Sequence, residues 1–207
     1  PSNSSAASDV YKRQSMKAAK DDSLKESLIS PDGVKKLVPV MAIYGANAAG
    51  KSNVLHALTL MKEMVCGVYA QPLKNEKLPQ EPFGFTRETN LPTEFEVIYF
   101  YNGIKYAYGY SFNQEHIISE YLYHWPNGRE ALVFSREEGR YQFRENIQEQ
   151  MTLAGRTSEN RLYLVSSNEW NCVQTEKAYL WFVEKMKNLI GTEMDAVSYT
   201  HLTLPTN

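Results

Sequence analysis

The stretch from Gly45 to Ser52, GANAAGKS, constrains the fold more than any other part of the sequence. It fits the pattern G-x-x-x-x-G-K-[ST], in which a glycine-rich bend exposes consecutive backbone N–H groups that surround phosphate oxygens. Such a loop works between a strand and the N-terminus of a helix, because the helix dipole adds to the attraction for an anion. The flanking residues therefore decide whether the pattern is a binding loop or an ordinary turn.

Both flanking elements are predicted. Leu37 to Tyr44 (LVPVMAIY) is a short apolar run and predicts a buried strand. Lys51 to Val65 predicts an amphipathic helix, because apolar residues recur at three- and four-residue spacing, namely Val54, Leu55, Leu58, Met61, Met64 and Val65. The order strand, loop, helix favours phosphate binding over a glycine-rich turn.

Each position of the loop has a chemical role. Gly45 and Gly50 permit turns and close approach of a phosphate, and the backbone N–H groups from Ala48 to Ser52 are expected to form the cradle. Lys51 places a cation on the β- and γ-phosphates, and the Ser52 hydroxyl ligates Mg²⁺. Lys51 is therefore the candidate catalytic residue, and Ser52 the candidate metal ligand.

Residues 94–144 have a different pattern, in which β-branched and aromatic residues alternate between turn signals. An antiparallel meander is predicted, with its first hairpin turning at Asn102-Gly103, a strong type I′ signal. The predicted strands are 94–101, 104–112, 116–124, 131–135 and 141–143. Helices are predicted at 147–153, 161–166 and 175–189, and 67–92, with four prolines, is predicted to be a long surface connection.

The two ends of the chain look foreign to the protein. Asp9 to Gln14 (DVYKRQ) can be encoded by GATGTGTATAAGAGACAG, and the reverse complement of that DNA word encodes VSYTH, which is Val197 to His201. This resembles read-through of a transposon adapter used in DNA library preparation, and such segments are set aside before the fold is considered. The expected layout is adapter-like residues 1–14 and 197–207 around a domain at 15–196.

Composition excludes several classes of protein. With 22 basic and 24 acidic residues, the chain has no global positive field that would indicate nucleic acid. No apolar run is long enough to span a bilayer, and no secretory signal is visible. Cys66 and Cys172 lack a partner at metal-ligand spacing and are expected to be reduced thiols. A cytoplasmic protein without a membrane partner is therefore expected.

The segment YGANAAGKSNVLHAL closely resembles the G-x-N-G-x-G-K-S-N loop of ABC-type ATPases of the SMC/RecF/OLD-like branch, and it looks like their AAA-family relatives. The aromatic hairpin region and NRLYLVSSNEWN, residues 160–171, resemble bacterial AAA-type ATP-binding proteins, several of them linked to abortive infection and phage defence. The resemblance implies an α/β fold class, with a truncated P-loop core (strand, loop, helix), an antiparallel β-meander subdomain and C-terminal helices.

The same resemblance implies ATP and Mg²⁺ as cofactors. Residues 15–196 would then be the N-terminal part of a P-loop ATPase domain. The implied partners of the full-length parent are a second copy in an ATP-dependent homodimer and an effector nuclease or DNA. The nucleotide-binding positions are Gly45, Ala46, Asn47, Ala48, Ala49, Gly50, Lys51, Ser52 and Asn53, with Ala48 in place of a frequent glycine.

Two hallmarks of that family are missing from the sequence. Its magnesium-holding acid lies on a later apolar strand ending in Asp-Glu, and no such strand follows residue 53. Its Ser-Gly signature, which completes a partner's site, is also missing. The chain is therefore expected to be a fragment that binds nucleotide weakly and does not hydrolyse it.

Other functions remain open from the residues alone. A different P-loop protein, either a GTPase-like switch or a nucleotide kinase, would fit the loop but lacks the expected base-specificity motif or arginine-rich lid. A non-catalytic nucleotide-sensing module also fits.

Several isolated side chains offer weaker alternatives. Phe83 or Phe85 would stack on adenine, although a loop or core role is favoured. For the histidines, packing or exposure is favoured over a catalytic role; these are His56, His116 and His124. For four glutamates, exposed strand faces are favoured over an acid/base pair; these are Glu94, Glu96, Glu115 and Glu120. For the meander residues, an ordinary half-buried sheet is favoured over stacking on single-stranded nucleic acid; these are Lys105, Tyr106, Tyr108 and Tyr110.

Overall fold

The computed structural model describes residues 28–30, 37–47, 50–80 and 91–186. The chain divides into two compact units, Pro1–Ala49 and Gly50–Asn207. Several predicted features lie outside the described residues: both adapter-like ends, residues 187–189 of the last predicted helix, and Phe83 and Phe85.

In the first unit, the prediction of a buried strand at residues 37–44 is wrong. Leu37 forms one antiparallel bridge with Ile29, and the residues that follow it up to Ala46 belong to no strand or helix. Val40 is 78% exposed and Tyr44 is 90% exposed. A strand needs a neighbour that pairs its backbone groups, and within the described residues this run has only the bridge at Leu37. Its apolar sequence therefore remains uncovered.

Helix α1 opens the second unit at Lys51–Cys66, which confirms the predicted helix. Only the second half of its apolar stripe lies in the core, where Met61, Met64 and Val65 are 3% exposed or less. Leu55 and Leu58, nearer the N-terminus, are 37% and 38% exposed. The helix is therefore anchored by its last turns.

A five-stranded antiparallel sheet follows, and its spatial order is the chain order β1-β2-β3-β4-β5. All five predicted strands of the meander are confirmed to within two residues of their predicted ends. The bounds are β1 Thr93–Tyr101, β2 Ile104–Phe112, β3 Ile117–Trp125, β4 Ala131–Glu137 and β5 Arg140–Phe143. Asn102 and Gly103 both have positive φ, 50° and 77°, as a type I′ turn requires.

One face of the sheet forms the core. Along β1, buried and exposed residues alternate, and Tyr99 and Tyr101 are nearly inaccessible. The neighbouring β2 contributes Tyr106, Tyr108 and Tyr110 to the same face, all 3% exposed or less. Aromatic rings in contact, such as Phe95 with Tyr110 at 5.5 Å between centroids, fill this layer.

Three helices close the core, namely α2 Ile147–Ala154, α3 Tyr163–Glu169 and α4 Val173–Glu184. They confirm the predicted C-terminal helices, with α4 ending before residue 189. Phe182 of α4 is fully buried, and Trp181 stacks on Tyr99 of β1 with a centroid distance of 4.1 Å. Tyr99 also donates to the Ala178 carbonyl at 3.0 Å, so α4 is held on β1 by packing and by hydrogen bonding.

The connection after α1 is more than a surface loop. Residues 67–80 contain no helix or strand, as predicted, but Ala70 and Leu78 are buried in the core. The Leu78 N–H donates to the Gln114 carbonyl at 2.8 Å, which ties the connection to the loop between β2 and β3.

Candidate functional site

The predicted phosphate loop is divided between the two units. Gly45, Ala46 and Asn47 are exposed and lie in the first unit, and Ala48 and Ala49 lie outside the described residues. Gly50, Lys51, Ser52 and Asn53 lie together at the start of α1. These four residues form the helical end of the candidate site.

At that end, Gly50 is the residue before the helix and has φ 82° and ψ 11°. This left-handed conformation strains any residue with a Cβ, so the second glycine of the motif is required by the backbone. A Cβ at Gly50 would meet no atom within 4 Å, so conformation alone imposes the requirement. The Asn53 N–H donates to the Gly50 carbonyl at 3.0 Å and closes the first turn.

The electrostatics of this helix start suit an anion. No acidic residue lies in the first turn, and the preceding glycine has no side chain with which to cap the helix. Lys51 adds a half-buried cation to the positive end of the helix dipole, and Ser52 and Asn53 are exposed beside it. A phosphate placed here would meet backbone amides, an ammonium group and a hydroxyl.

Clusters of side chains in the described ranges are the place to look for further metal ligands. No group of three or more His, Cys, Asp or Glu side chains that could hold a metal ion occurs within the described ranges. Ser52 is thus the candidate magnesium ligand there, and a carboxylate beside it would have to come from other residues.

The nucleic-acid alternative for the meander is wrong for its tyrosines. Tyr106, Tyr108 and Tyr110 point into the core and cannot stack on a base, because they are 3%, 0% and 2% exposed. Lys105 lies over the ring of Trp125, at 3.6 Å from its centroid. These tyrosines therefore pack in the sheet, as favoured, but β2 is buried at every position from 106 to 112 and is not half-buried.

Packing or exposure was also predicted for the histidines, and exposure for the candidate glutamates, one of which is buried instead. His56 is exposed, and burial lowers the pKa of the half-buried His124 below its ordinary value. Glu94 and Glu96 are exposed on β1, as predicted, whereas Glu115 is exposed in the loop before β3 and not on a strand.

Glu120 is the exception, because the prediction of an exposed strand position is wrong. Its carboxylate is fully buried and accepts hydrogen bonds from the Tyr108 hydroxyl at 2.9 Å and from two backbone amides at the start of α3. Those amides belong to Tyr163, at 2.6 Å, and Leu164, at 2.9 Å. Burial raises the pKa of Glu120, while nearby Arg136 and these hydrogen bonds oppose the rise.

Arg136 is Glu120's cross-strand neighbour and is also buried, at 3% exposure. Its guanidinium donates to the Arg161 carbonyl at 2.7 Å and to the Glu159 carbonyl at 2.9 Å. The period-two alternation of β3 and β4 could have predicted that both side chains are buried. Glu120 has the same phase as Leu122, and Arg136 the same phase as Phe134, so both charges fall on the core face.

One comparison with known proteins gives a match, and it covers most of the chain. A family model described as "AAA domain, putative AbiEii toxin, Type IV TA system" matches residues 40–190. The matched range spans the loop, the sheet and the three C-terminal helices. No curated protein and no solved structure matches the sequence significantly. Among the described residues, no helix is long and apolar enough to cross a membrane.

Proposed function

Because the chain belongs to this family of AAA domains, whose model spans most of its length, we propose that it binds ATP with Mg²⁺ through Gly45 to Asn53. The observation that supports the proposal is the start of α1, where a left-handed Gly50 leads directly into Lys51 and Ser52. Family membership indicates a nucleotide-binding ATPase, and the loop indicates which residues contact the phosphates.

In this proposal Lys51 binds the β- and γ-phosphates and Ser52 ligates the magnesium ion. The amides of Ala48 to Ser52 surround the phosphate oxygens. Lys51 would stabilise the charge that develops on the transferred phosphoryl group, which makes it the catalytic residue of the full-length parent.

Titration of ATP and of GTP, each with Mg²⁺, into the chain by calorimetry tests the proposal. Lys51→Ala is expected to weaken ATP binding by about tenfold or more, because a charged hydrogen bond to phosphate is lost. Lys62→Ala, near the other end of the same helix, is the matched control and should bind like the wild type. Equal ATP affinity in wild type and Lys51→Ala would refute the phosphate-loop assignment, and a preference for GTP would favour a GTPase-like switch.

Hydrolysis is proposed for the full-length parent and not for this chain alone. The described residues provide no acidic cluster for magnesium, and the sequence contains no apolar strand ending in Asp-Glu after residue 53. Phosphate release from the purified chain is expected to stay at background. Release that disappears in Lys51→Ala would contradict this expectation and show that the chain carries a complete site.

The proposal also includes a biological role for the full-length parent. The matched family's description names a toxin of a toxin–antitoxin system, and the loop resembles that of ATPases linked to phage defence. We expect an ATP-dependent homodimer that controls an effector nuclease or acts on DNA. Plaque assays with the intact parent and its Lys51→Ala variant test this: protection that survives the substitution would separate defence from nucleotide binding.

A further inference from the structure

The first two residues of the stretch NRLYLVSSNEWN, residues 160–171, hold the connection that follows α1. The Asn160 amide, 4% exposed, donates to the Leu73 carbonyl at 2.8 Å and to the Glu76 carbonyl at 3.1 Å. Arg161 donates through Nε to the Ala70 carbonyl at 3.2 Å. We call these two side chains the clamp, because together they hold the connection that follows α1.

An outer contact extends the clamp. Gln71 donates to the Glu169 carboxylate at 2.8 Å, and the same carboxylate pairs with the guanidinium of Arg161. The connection is thus held at Ala70, Gln71, Leu73 and Glu76, although it contains no regular secondary structure.

The clamp is itself fixed to the sheet by buried charges. Arg136 of β4 holds the carbonyls of Glu159 and Arg161, on either side of Asn160. Glu120 of β3 holds the amides of Tyr163 and Leu164 just beyond it. Because these contacts lie in the core, segment 159–164 cannot shift without breaking charged hydrogen bonds of buried groups.

At its other end the clamp adds to the core packing of Met61, Met64 and Val65 in holding the last turns of α1. The clamped carbonyl of Ala70 is four residues beyond Cys66, the last residue of the helix, and the N–H groups of Gly67 and Tyr69 both donate to the Glu63 carbonyl. A helix of 16 residues is about 24 Å long and stiff, so fixing its last turn sets the direction of its first turn. Leu55 and Leu58 are exposed, so the N-terminal half contributes little to that direction.

From this geometry we propose that Asn160 is a positioning residue for nucleotide binding. It contacts no nucleotide; it fixes the connection behind α1 and thereby the place where Lys51 and Ser52 meet the phosphates. The inference rests on the proposed function of the loop. It predicts that loss of the two Asn160 hydrogen bonds weakens phosphate binding at a distance.

The test compares Asn160→Ala with Gln150→Ala. Gln150 is a fully buried amide that donates to the Glu145 carbonyl at 2.6 Å and accepts from the Tyr163 hydroxyl at 3.3 Å, but it makes no hydrogen bond to the clamped connection. Both variants should lower the unfolding midpoint. Only Asn160→Ala should weaken ATP affinity, by about tenfold, because a shifted helix start makes poorer hydrogen bonds to the phosphates. Hydrogen exchange should accelerate in residues 67–80 in that variant alone.

Two further variants, Lys51→Ala and Gln71→Ala, separate failure of the positioning role from failure of the proposed function. If Lys51→Ala binds ATP as wild type does, the proposed function fails and the positioning role fails with it. If Lys51→Ala loses affinity while Asn160→Ala retains it, or loses no more than Gln150→Ala, the positioning role alone is overturned. Gln71→Ala removes the exposed contact of the clamp without touching the core; should Asn160→Ala not fold, unchanged affinity and exchange in Gln71→Ala would overturn the proposal instead.

Discussion

The sheet with its helices and the segment before α1 both contain many apolar residues, but many of those in the sheet are buried and most of those in the segment are exposed. In the sheet, Tyr108, Phe134 and Phe182 are fully buried, whereas Val40 and Tyr44 of the earlier segment are 78% and 90% exposed. The two regions differ in whether their backbones pair with a neighbouring strand. Each sheet strand pairs with its neighbour in the chain, while the residues from 38 to 44 have no ladder within the described parts of the chain. Hydrophobicity alone does not place a strand; a paired backbone does.

The largest effect on stability is expected for a substitution in the core of the sheet. Phe134→Ala should lower the free energy of unfolding by about 3–5 kcal/mol, because it opens a cavity against Tyr163, whose ring centroid lies 4.8 Å away. Guanidinium denaturation followed by tryptophan fluorescence measures the loss. A cost below about 1 kcal/mol would mean that the sheet is packed as loosely as the earlier segment.

A smaller effect is expected where charge enters the core. Glu120→Gln leaves one of the amides of Tyr163 and Leu164 without an acceptor, because the new NH₂ group can only donate. We expect a loss of about 1–3 kcal/mol in the free energy of unfolding near neutral pH. Glu115→Gln, on the exposed loop before β3, is the matched control and should unfold like the wild type.

The pH dependence of that loss has a definite sign. Burial raises the pKa of Glu120 in the folded state above its ordinary value of 4.5, so the folded protein keeps a proton that the unfolded chain has released. Between 4.5 and the raised pKa, this site therefore makes the wild type less stable as pH rises. Glu120→Gln lacks this dependence. Its stability deficit should be largest at acidic pH and narrow as pH rises; a deficit that widens would contradict the raised pKa.

At the boundary between the two regions, Gly50→Ala should cost about 1 kcal/mol of stability, because alanine is strained at φ 82°. Gly155→Ala provides the contrast, since Gly155 has φ −64° and a Cβ there meets only ordinary contacts. Thermal unfolding should separate the two variants. If both are neutral, the left-handed start of α1 is not imposed by its surroundings.

The smallest effect is expected in the exposed segment. Tyr44→Ala should change the free energy of unfolding by less than about 0.5 kcal/mol, since a 90% exposed ring has little area to lose. The same denaturation assay applies. A loss comparable to that of Phe134→Ala would show that the segment is covered in solution and would erase the contrast between the two regions.

How much could be predicted from the sequence follows the same division. Hairpin signals such as Asn102-Gly103 and period-two alternation located the sheet, because both are local properties of the chain. The start of α1 was predictable from the glycine and lysine of the loop. Glu120 was missed because the residue type outweighed its phase on β3, and the clamp was missed because it joins residues 70–76 with residues 160 and 161. Contacts between residues so far apart in sequence leave no local pattern.

The strand order of the sheet has a consequence for how the protein forms. Every ladder joins strands that are consecutive in the chain, so each pairing closes a loop of only a few residues. Folds dominated by such near-neighbour pairings have low contact order, and low contact order goes with fast folding. The meander is therefore expected to assemble early, strand by strand, as the chain leaves the ribosome. The clamp closes only after residues 160 and 161 have been synthesised, so the connection behind the phosphate-binding helix is fixed after the meander.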